Sequence, residues 1–460
     1  MITQIKNPLF NFPDIKYPYN LLLILLLGLC LRVYVSRDNN LHTWDEKFHA
    51  LVASHLIEHP LKPTLYENPV LPYDCENWVA NHIWLEKGPI PLWSIGFSIS
   101  IFGKNAIAVR IPSIILSLLG IYLTFLIGKK LFNQKTGLFA AFFYAINGLL
   151  IEIAGGRVSS DHVEMFFIFF VELAIYLSIL TIQKKEGWKL PVLVGIATGM
   201  AFLSKWSPAL IVFPVWITGE LIKSNKSKGQ VFFNLSIAVV SFLICILPAL
   251  LYVSKLFPDE AMHVLRKFFF AYLDPVEQHN GPIYYYFEKT GMVYGEMIWI
   301  ALVIIGYVIV KLKSPWELSM LAAWIIIPFI IFSVAATKRH TYMLISAPAI
   351  FSILGYVILY LKEQKTIKKW IRITAISLLV LLPVRYSIER VKPFEKVDRN
   401  PAWVKEIKSL QGKYSRNTIF VNEEHYIEAM FYTDYIFYDR KLSKEEIDFL
   451  EKKNYKVISR

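Results

Sequence analysis

The chain has 460 residues, 55% of them hydrophobic and 18% charged, with a mean hydropathy of +0.43. Soluble domains run at roughly 45–50% apolar and about 25% charged, so the composition argues for an integral membrane protein. The net charge of +13 sits between apolar runs, which excludes a nucleic-acid footprint, and three cysteines (Cys30, Cys75, Cys245) cannot build a disulfide framework.

A helix crossing ~30 Å of hydrocarbon needs ~20 apolar residues. Eleven runs are read as spans, at about 19–35, 109–128, 137–154, 163–182, 190–204, 207–222, 231–253, 292–310, 317–336, 341–361 and 370–386. The first is too long, and too lacking in a small-residue cleavage site, for a removed signal peptide. A twelfth run, 91–102, is short and suits an interfacial or re-entrant helix. If it does not cross, alternate loops carry the lysines: Lys129, Lys130 and Lys135, then Lys184, Lys185 and Lys189, and so on to Lys368 and Lys369. The N-terminus, with Lys6 and Lys16, joins them, so that side is cytoplasmic and the protein is a multi-pass plasma-membrane protein.

The outer side then receives the long loops 36–108 and 254–291, the turn 155–161, the segment 337–340 and everything after about 388. Long loops of this kind are usually functional. The tail reads as strands at 418–421, 435–438 and 455–459 around helices at 423–432 and 443–452, the second opening with the Ser443/Glu446 capping-box spacing. The organisation is thus a transmembrane domain over 1–387, capped by its outer loops. A small soluble extracytoplasmic α/β module over 388–460 follows and has an accessory role.

Five outer segments carry candidate chemistry. Asp45 and Glu46 open an amphipathic surface helix, where solvated acids complementing the helix dipole are the plain alternative. Glu86 and Lys87 stand side by side at the membrane boundary, where snorkelling explains them on spacing alone. Arg157 and Asp161 flank a glycine-bearing turn in which Asp161 also reads as a cap. His279 lies in the second long loop with His263 and Arg266 upstream; zinc wants three or four ligands, and no paired-ligand motif is present. Lys338, Arg339 and Tyr342 run against the positive-inside rule, which favours an anion site. Acids and cations converging on one face suit a catalyst for a lipid-linked phosphate. A transporter would place its charges mid-span, where Lys205 is the main exception found.

Asp45-Glu46, Glu86-Lys87-Gly88-Pro89, Phe102-Gly103 with Val109 to Ser113, Gly156-Arg157 with Asp161, Gly199 to Lys205, His279 with Pro282 and Tyr285-Tyr286, and Lys338 with Tyr342 and Pro348 occur in that order. In order and type they resemble the polytopic C-type glycosyltransferases of the protein O-mannosyltransferase and aminoarabinose-transferase group, over roughly residues 20–360. The resemblance implies a hexosyl or pentosyl donor on a polyprenyl phosphate and inverting transfer to a glycan, lipid or protein hydroxyl on the outer face. Asp45 would be the general base, with Glu46 beside it and Asp161 positioning donor or acceptor. Lys87, Lys338 or Arg339 and Tyr342 would hold the leaving phosphate, with Arg266 a further candidate. Glu86 and His279 resemble residues that hold a divalent metal in some members. Gly88 departs from the family's proline. An oligosaccharide ligase and a lipid or polysaccharide flippase are the competing readings.

Overall fold

The protein is described from a computed structural model, over residues 17–158, 162–184, 187–223, 226–311, 316–396 and 398–460. Helix α1 (Tyr17–Val35) leads into the first outer loop, which carries α2 (Asp45–His55) and α3 (Pro89–Phe102). Then follow α4 (Ala106–Leu131), α5 (Gln134–Ile146), α6 (Gly148–Ala154), α7 (His162–Gln183), α8 (Lys189–Lys205), α9 (Val212–Lys223) and α10 (Lys228–Leu256). The second outer loop holds α11 (Pro258–Phe270) and α12 (Tyr285–Tyr294). Helices α13 (Met297–Lys311), α14 (Trp316–Val334), α15 (Ala347–Glu363) and α16 (Lys369–Val391) complete the bundle.

Asparagines punctuate these helices. The side chains of Asn105 and Asn133 accept from the backbone N–H groups of Ala108 and Thr136, both at 2.9 Å, satisfying donors that a helix start leaves over. Asn147 does the same for α6 through Leu150 N–H at 3.0 Å, and its extended ψ of 115° bends α5 against α6 by 59°. Where α4 meets α5, a Cβ on Gly128 would lie 2.8 Å from the Gly137 Cα, so only glycine permits that approach.

Among the described residues six helices are long and apolar enough to cross a membrane, or seven with α5 and α6 as one broken span. Helices also occupy the expected segments at 19–35, 190–204, 207–222 and 292–310, but they are shorter. The run at 91–102 is a 14-residue helix, α3. Charge inside the bundle exceeds the sequence expectation of little beyond Lys205. Glu172 is fully buried in α7 and accepts from the Thr124 hydroxyl at 2.6 Å. Arg32 is also fully buried, donating to the Ser117 hydroxyl at 2.6 Å and the Ala145 carbonyl at 3.0 Å. Arg32 is tolerated because its bonds are made within the protein, whereas Glu172 Oε2 has no hydrogen-bond partner among the described residues.

After α17 (Ala402–Lys408) comes a three-stranded sheet of β1 (Thr418–Val421), β2 (Ile436–Phe437) and β3 (Lys456–Ser459). Its order is β2-β1-β3 and both pairings are parallel, with crossovers through α18 (Tyr426–Tyr432) and α19 (Lys444–Lys452). The Ser443/Glu446 capping box is formed. Phe420, Ile427, Phe431 and Phe437 share one apolar cluster with Leu41, Phe48, Leu51, Trp84 and Ile95 of the first outer loop. The tail is therefore packed into the wall that carries α2.

Candidate active site

Asp45 is the first residue of α2. The preceding Trp44 has φ 75° and ψ −134°, a region that costs a non-glycine residue about 1–3 kcal/mol. Trp206 (φ 60°, ψ −145°) follows Lys205 at the end of α8. Backbone strain of this kind concentrates where side chains are held for function, and here it flanks two charged residues that line one pocket.

That pocket is a salt-bridge lattice. Lys87 Nζ donates to Asp45 Oδ2 at 3.1 Å. Lys267 Nζ donates to Glu86 Oε2 at 2.9 Å and to Glu277 Oε1 at 3.2 Å, while Arg339 Nη2 reaches Glu277 Oε2 at 2.7 Å. Lys205 pairs with Glu164, and its ammonium lies 4.4 Å from the centroid of the Tyr342 ring. All nine of these side chains line the pocket, and its free space is only ≈ 90 Å³ because the pairs reach across it. Burial alone would raise the Asp45 carboxyl, but Lys87, His49 and Arg339 outweigh burial and hold it below the ordinary value. Lys267 and Arg339 likewise overcome burial to lower Glu277. Burial, reinforced by Arg339, lowers the His279 imidazole and favours its neutral form.

The pocket opens onto a groove of ≈ 350 Å³ lined by Leu56, Leu85, Leu92, Leu203, Val253 and Leu265 among other apolar side chains. Lys87 and Trp206 belong to both linings.

The structure gathers Asp45, Glu86, Lys87, Arg339 and Tyr342 of the sequence-derived set and places Glu46, Arg266, His279 and Lys338 outside the pocket. Glu46 is 1% exposed and turned away from the pocket: Arg110 Nε and Nη2 donate to it at 2.7 and 3.0 Å, His162 Nε2 lies at 3.2 Å and His42 Nδ1 at 2.8 Å. Its acceptor sites are used up, so it holds the loop and has no lone pair left for a proton. Burial opposes its ionisation, yet Arg110 and His42 keep the carboxyl well below its usual range. Lys338 is buried too; its ammonium donates to the carbonyls of Ser333 (2.8 Å) and Ala335 (2.5 Å), closing the C-terminal end of α14. It is a helix cap and cannot serve as a phosphate ligand from there. Arg266 is exposed outside the pocket, and its neighbour Lys267 takes the place expected of it. Asp161 lies outside the described residues. Arg157, from the same turn, donates through Nε to Asp38 at 3.2 Å.

The described residues do not bring Glu86 and His279 together as ligands, although Glu86 Oε1 is buried and has no partner among them. One Glu86 oxygen is bonded to Lys267, His279 is exposed and does not line the pocket, and each pocket carboxylate is neutralised by a cation. Among the described residues the one group with ligand atoms close enough to share an ion is Glu58, His59 and Glu67, which is fully exposed. No step below is drawn through a metal.

Sequence reasoning missed Glu164, Lys267 and Glu277, and gave Lys205 no role. Lys205 was visible as a charge between two apolar runs. The helical period of α11 separates Lys267 from Arg266 by about 100°, a usable signal. Glu277 reaches the pocket from a loop with left-handed backbone (φ 53°), which no sequence pattern announces.

An apolar helical bundle with a charged pocket at one end and a lipid-sized groove beside it defines the membrane-embedded fold of polytopic C-type glycosyltransferases. It aligns with ArnT from Cupriavidus metallidurans bound to undecaprenyl phosphate at a TM-score of 0.69 and 13% identity, covering 96% of this chain and 90% of that one. The archaeal oligosaccharyltransferase AglB from Archaeoglobus fulgidus, solved with an inhibitory peptide and dolichol-phosphate, aligns at 0.62 and 12% identity over 98% of this chain and 70% of that one.

Residues 86–252 match the dolichyl-phosphate-mannose-protein mannosyltransferase family. An undecaprenyl phosphate-α-4-amino-4-deoxy-L-arabinose arabinosyl transferase of Yersinia enterocolitica is 28% identical over 286 residues, 58% of this chain and 49% of its own length. A second, from Pseudomonas fluorescens, is 25% identical over 304 residues, 61% of this chain and 52% of its own. The chain spans about half the length of the curated relatives it matches. Through this match and these relatives the chain is similar to the protein mannosyltransferase and aminoarabinose-transferase group that its motifs resemble.

Proposed function

We propose that the protein transfers a glycosyl group from a polyprenyl-phosphate-linked sugar to an acceptor hydroxyl at the outer face of the membrane. The observation that carries this reading is the shared lining. Lys87 and Trp206 join the apolar groove to the charged pocket, so one molecule with a hydrocarbon tail and a phosphate head meets suitable chemistry at both ends.

The tail lies in the groove and the phosphate displaces Asp45 from Lys87, with Lys205, Arg339 and Lys267 close by. Asp45, released from its ammonium partner, becomes a stronger base as it becomes exposed to the acceptor. The acceptor oxygen forms its bond to the anomeric carbon while that carbon's bond to the phosphate oxygen breaks. The electron pair stays on the phosphate, the acceptor proton passes to the Asp45 carboxylate, and the configuration inverts. Lysine and arginine neutralise the charge that grows on the leaving phosphate. The finer topology belongs to the same reading: eleven spans, a cytoplasmic N-terminus, a plasma-membrane location, and residues 388–460 outside with Asp161 near the acceptor.

The test is transfer of radiolabelled sugar from a polyprenyl-phosphate donor pool in membranes holding wild type, Asp45→Asn or Lys87→Ala. Loss in Asp45→Asn with normal insertion supports the base assignment. Full activity in that variant moves the role to another carboxylate, and no transfer by wild type turns the question to lipid translocation.

A further inference from the structure

A second cavity, ≈ 420 Å³, lies between the first outer loop and the tail, on the other side of α2's first residue from the salt-bridge lattice. Its volume falls within the roughly 300–1,000 Å³ typical of small-ligand sites. We infer that this cavity is a saccharide subsite for the acceptor; the inference rests on the transferase reading and names the chemical class of its second substrate.

The lining has the two kinds of surface that a pyranose requires. Flat aromatic faces meet the C–H faces of the ring by dispersion, and fixed acceptors and donors meet its hydroxyls. Trp403 stacks on His425 with ring centroids 3.9 Å apart and planes 11° from parallel, which fixes one such face. Trp44 supplies another: its indole is 65% exposed although its backbone sits at φ 75°, so the turn presents the ring instead of packing it. Glu428 supplies the acceptor. It is 1% exposed and lines the cavity, and its Oε2 makes no hydrogen bond among the described residues; Lys47 Nζ stands 3.4 Å from it, and His425 Nδ1 is 3.7 Å from Oε1. Arg157 adds a donor at the opposite wall.

None of the lining residues lies on a strand, so an extended peptide finds no sheet edge to extend. The cavity also lacks the continuous apolar wall that a lipid chain would need. Position in the chain completes the argument. Trp44 lines this cavity and Asp45 lines the donor pocket, so the left-handed turn at Trp44 sends consecutive side chains into adjoining sites. A sugar against Trp44 therefore borders the carboxylate proposed to take its proton.

The test applies detergent-solubilised full chain to an array of pyranose mono-, di- and trisaccharides with unglycosylated peptides beside them. Undecaprenyl phosphate binding is measured on the same preparations. Wild type is expected to be retained on at least one saccharide and on no peptide. Trp44→Ala and Glu428→Gln should each lower that retention tenfold or more while binding undecaprenyl phosphate as wild type does. Trp44 is mostly exposed, so its loss leaves the fold intact, and unchanged lipid binding verifies folding in both variants. Retention on no saccharide, retention on peptides alone, or equal retention by both variants overturns the inference. Unchanged undecaprenyl phosphate binding in Lys87→Ala counts against the donor reading instead, because that residue lies outside this cavity.

Discussion

Asp45 and Glu46 are neighbours in the chain, both carboxylates and both bonded to cations, yet they sit in opposite kinds of site. Glu46 is sealed in a lock in which Arg110 donates to it twice and to the carbonyls of Ser36 (3.0 Å), Asp38 (2.6 Å) and Asn40 (2.7 Å). Every donor of the guanidinium is used, and the loop after α1 is fastened to α4. Among the described residues Asp45 is bonded to one ammonium, Lys87, at the edge of a pocket, and in the proposed reaction that ammonium exchanges the carboxylate for a phosphate. The difference teaches that charge pairing alone does not mark chemistry. A pair that is saturated and buried fixes structure, whereas one that is bordered by free space and by surplus partners is poised to change partners.

The comparison breaks most visibly at Arg110. Arg110→Met leaves Glu46 buried without its counter-charge, which should cost about 3–5 kcal/mol and collapse the outer loop, read as loss of the folded peak in detergent gel filtration and a large fall in Tm. Asp45→Asn should do the reverse: Tm close to wild type and glycosyl transfer down about 10²–10⁴-fold, the range for losing a general base. Equal losses of stability in the two variants would erase the distinction. Lys87→Ala removes one charged hydrogen bond to phosphate, about 1.5–3 kcal/mol, so undecaprenyl phosphate binding should weaken roughly 10–150-fold in a titration.

Acidity sharpens the contrast further. Glu46 and Asp38 have depressed carboxyls, Glu46 through Arg110 and His42 and Asp38 through His42 and Arg157, in each case against burial. Their stabilisation is complete above the unfolded values of 4.5 and 3.8 and is lost as pH falls through the folded ones. His42 has the opposite sign: against burial, Glu46 and Asp38 raise its imidazole, so its contribution is complete below 6.5 and fades as pH rises past the folded value. Tm should thus decline below about pH 4.5 and again, more gently, in the alkaline range, with Glu46→Gln flattening both limbs. The smallest effect lies far from either site. Ser443→Ala opens the capping box of α19 and should cost about 0.5–2 kcal/mol, seen as faster amide exchange confined to that helix.

Much of the bundle was legible because apolar run length is a direct consequence of the bilayer, and each of the eleven expected segments holds a helix. The tail's strands and capping box were legible from alternation and from Ser443 with Glu446. Less of the site could be read, because side-chain direction turns on single residues. Arg266 and Lys267 differ by one position, as do Lys338 and Arg339, and in each case the second faces the pocket. Glu46 looked equivalent to Asp45 until the partner 64 residues away, Arg110, was seen to claim it. The lattice partners Glu164 and Glu277 come from segments whose meeting depends on the tertiary fold, and the left-handed turn at Glu277 has no glycine to announce it.

The apolar cluster that joins the tail to the first outer loop has a consequence for how the protein is made. The Tyr66 hydroxyl donates to the Phe437 carbonyl across 371 residues of sequence, and Phe420 and Phe431 fill the same cluster as Phe48 and Leu51 of α2. Synthesis proceeds from the N-terminus, so the segment bearing Asp45 emerges long before the strands that complete its wall. During that interval the loop lacks the tail's share of its core, and contacts of such long range form late. Assembly of the pocket is therefore timed by the folding of the tail, and ribosome-bound intermediates should stay inert until it is complete.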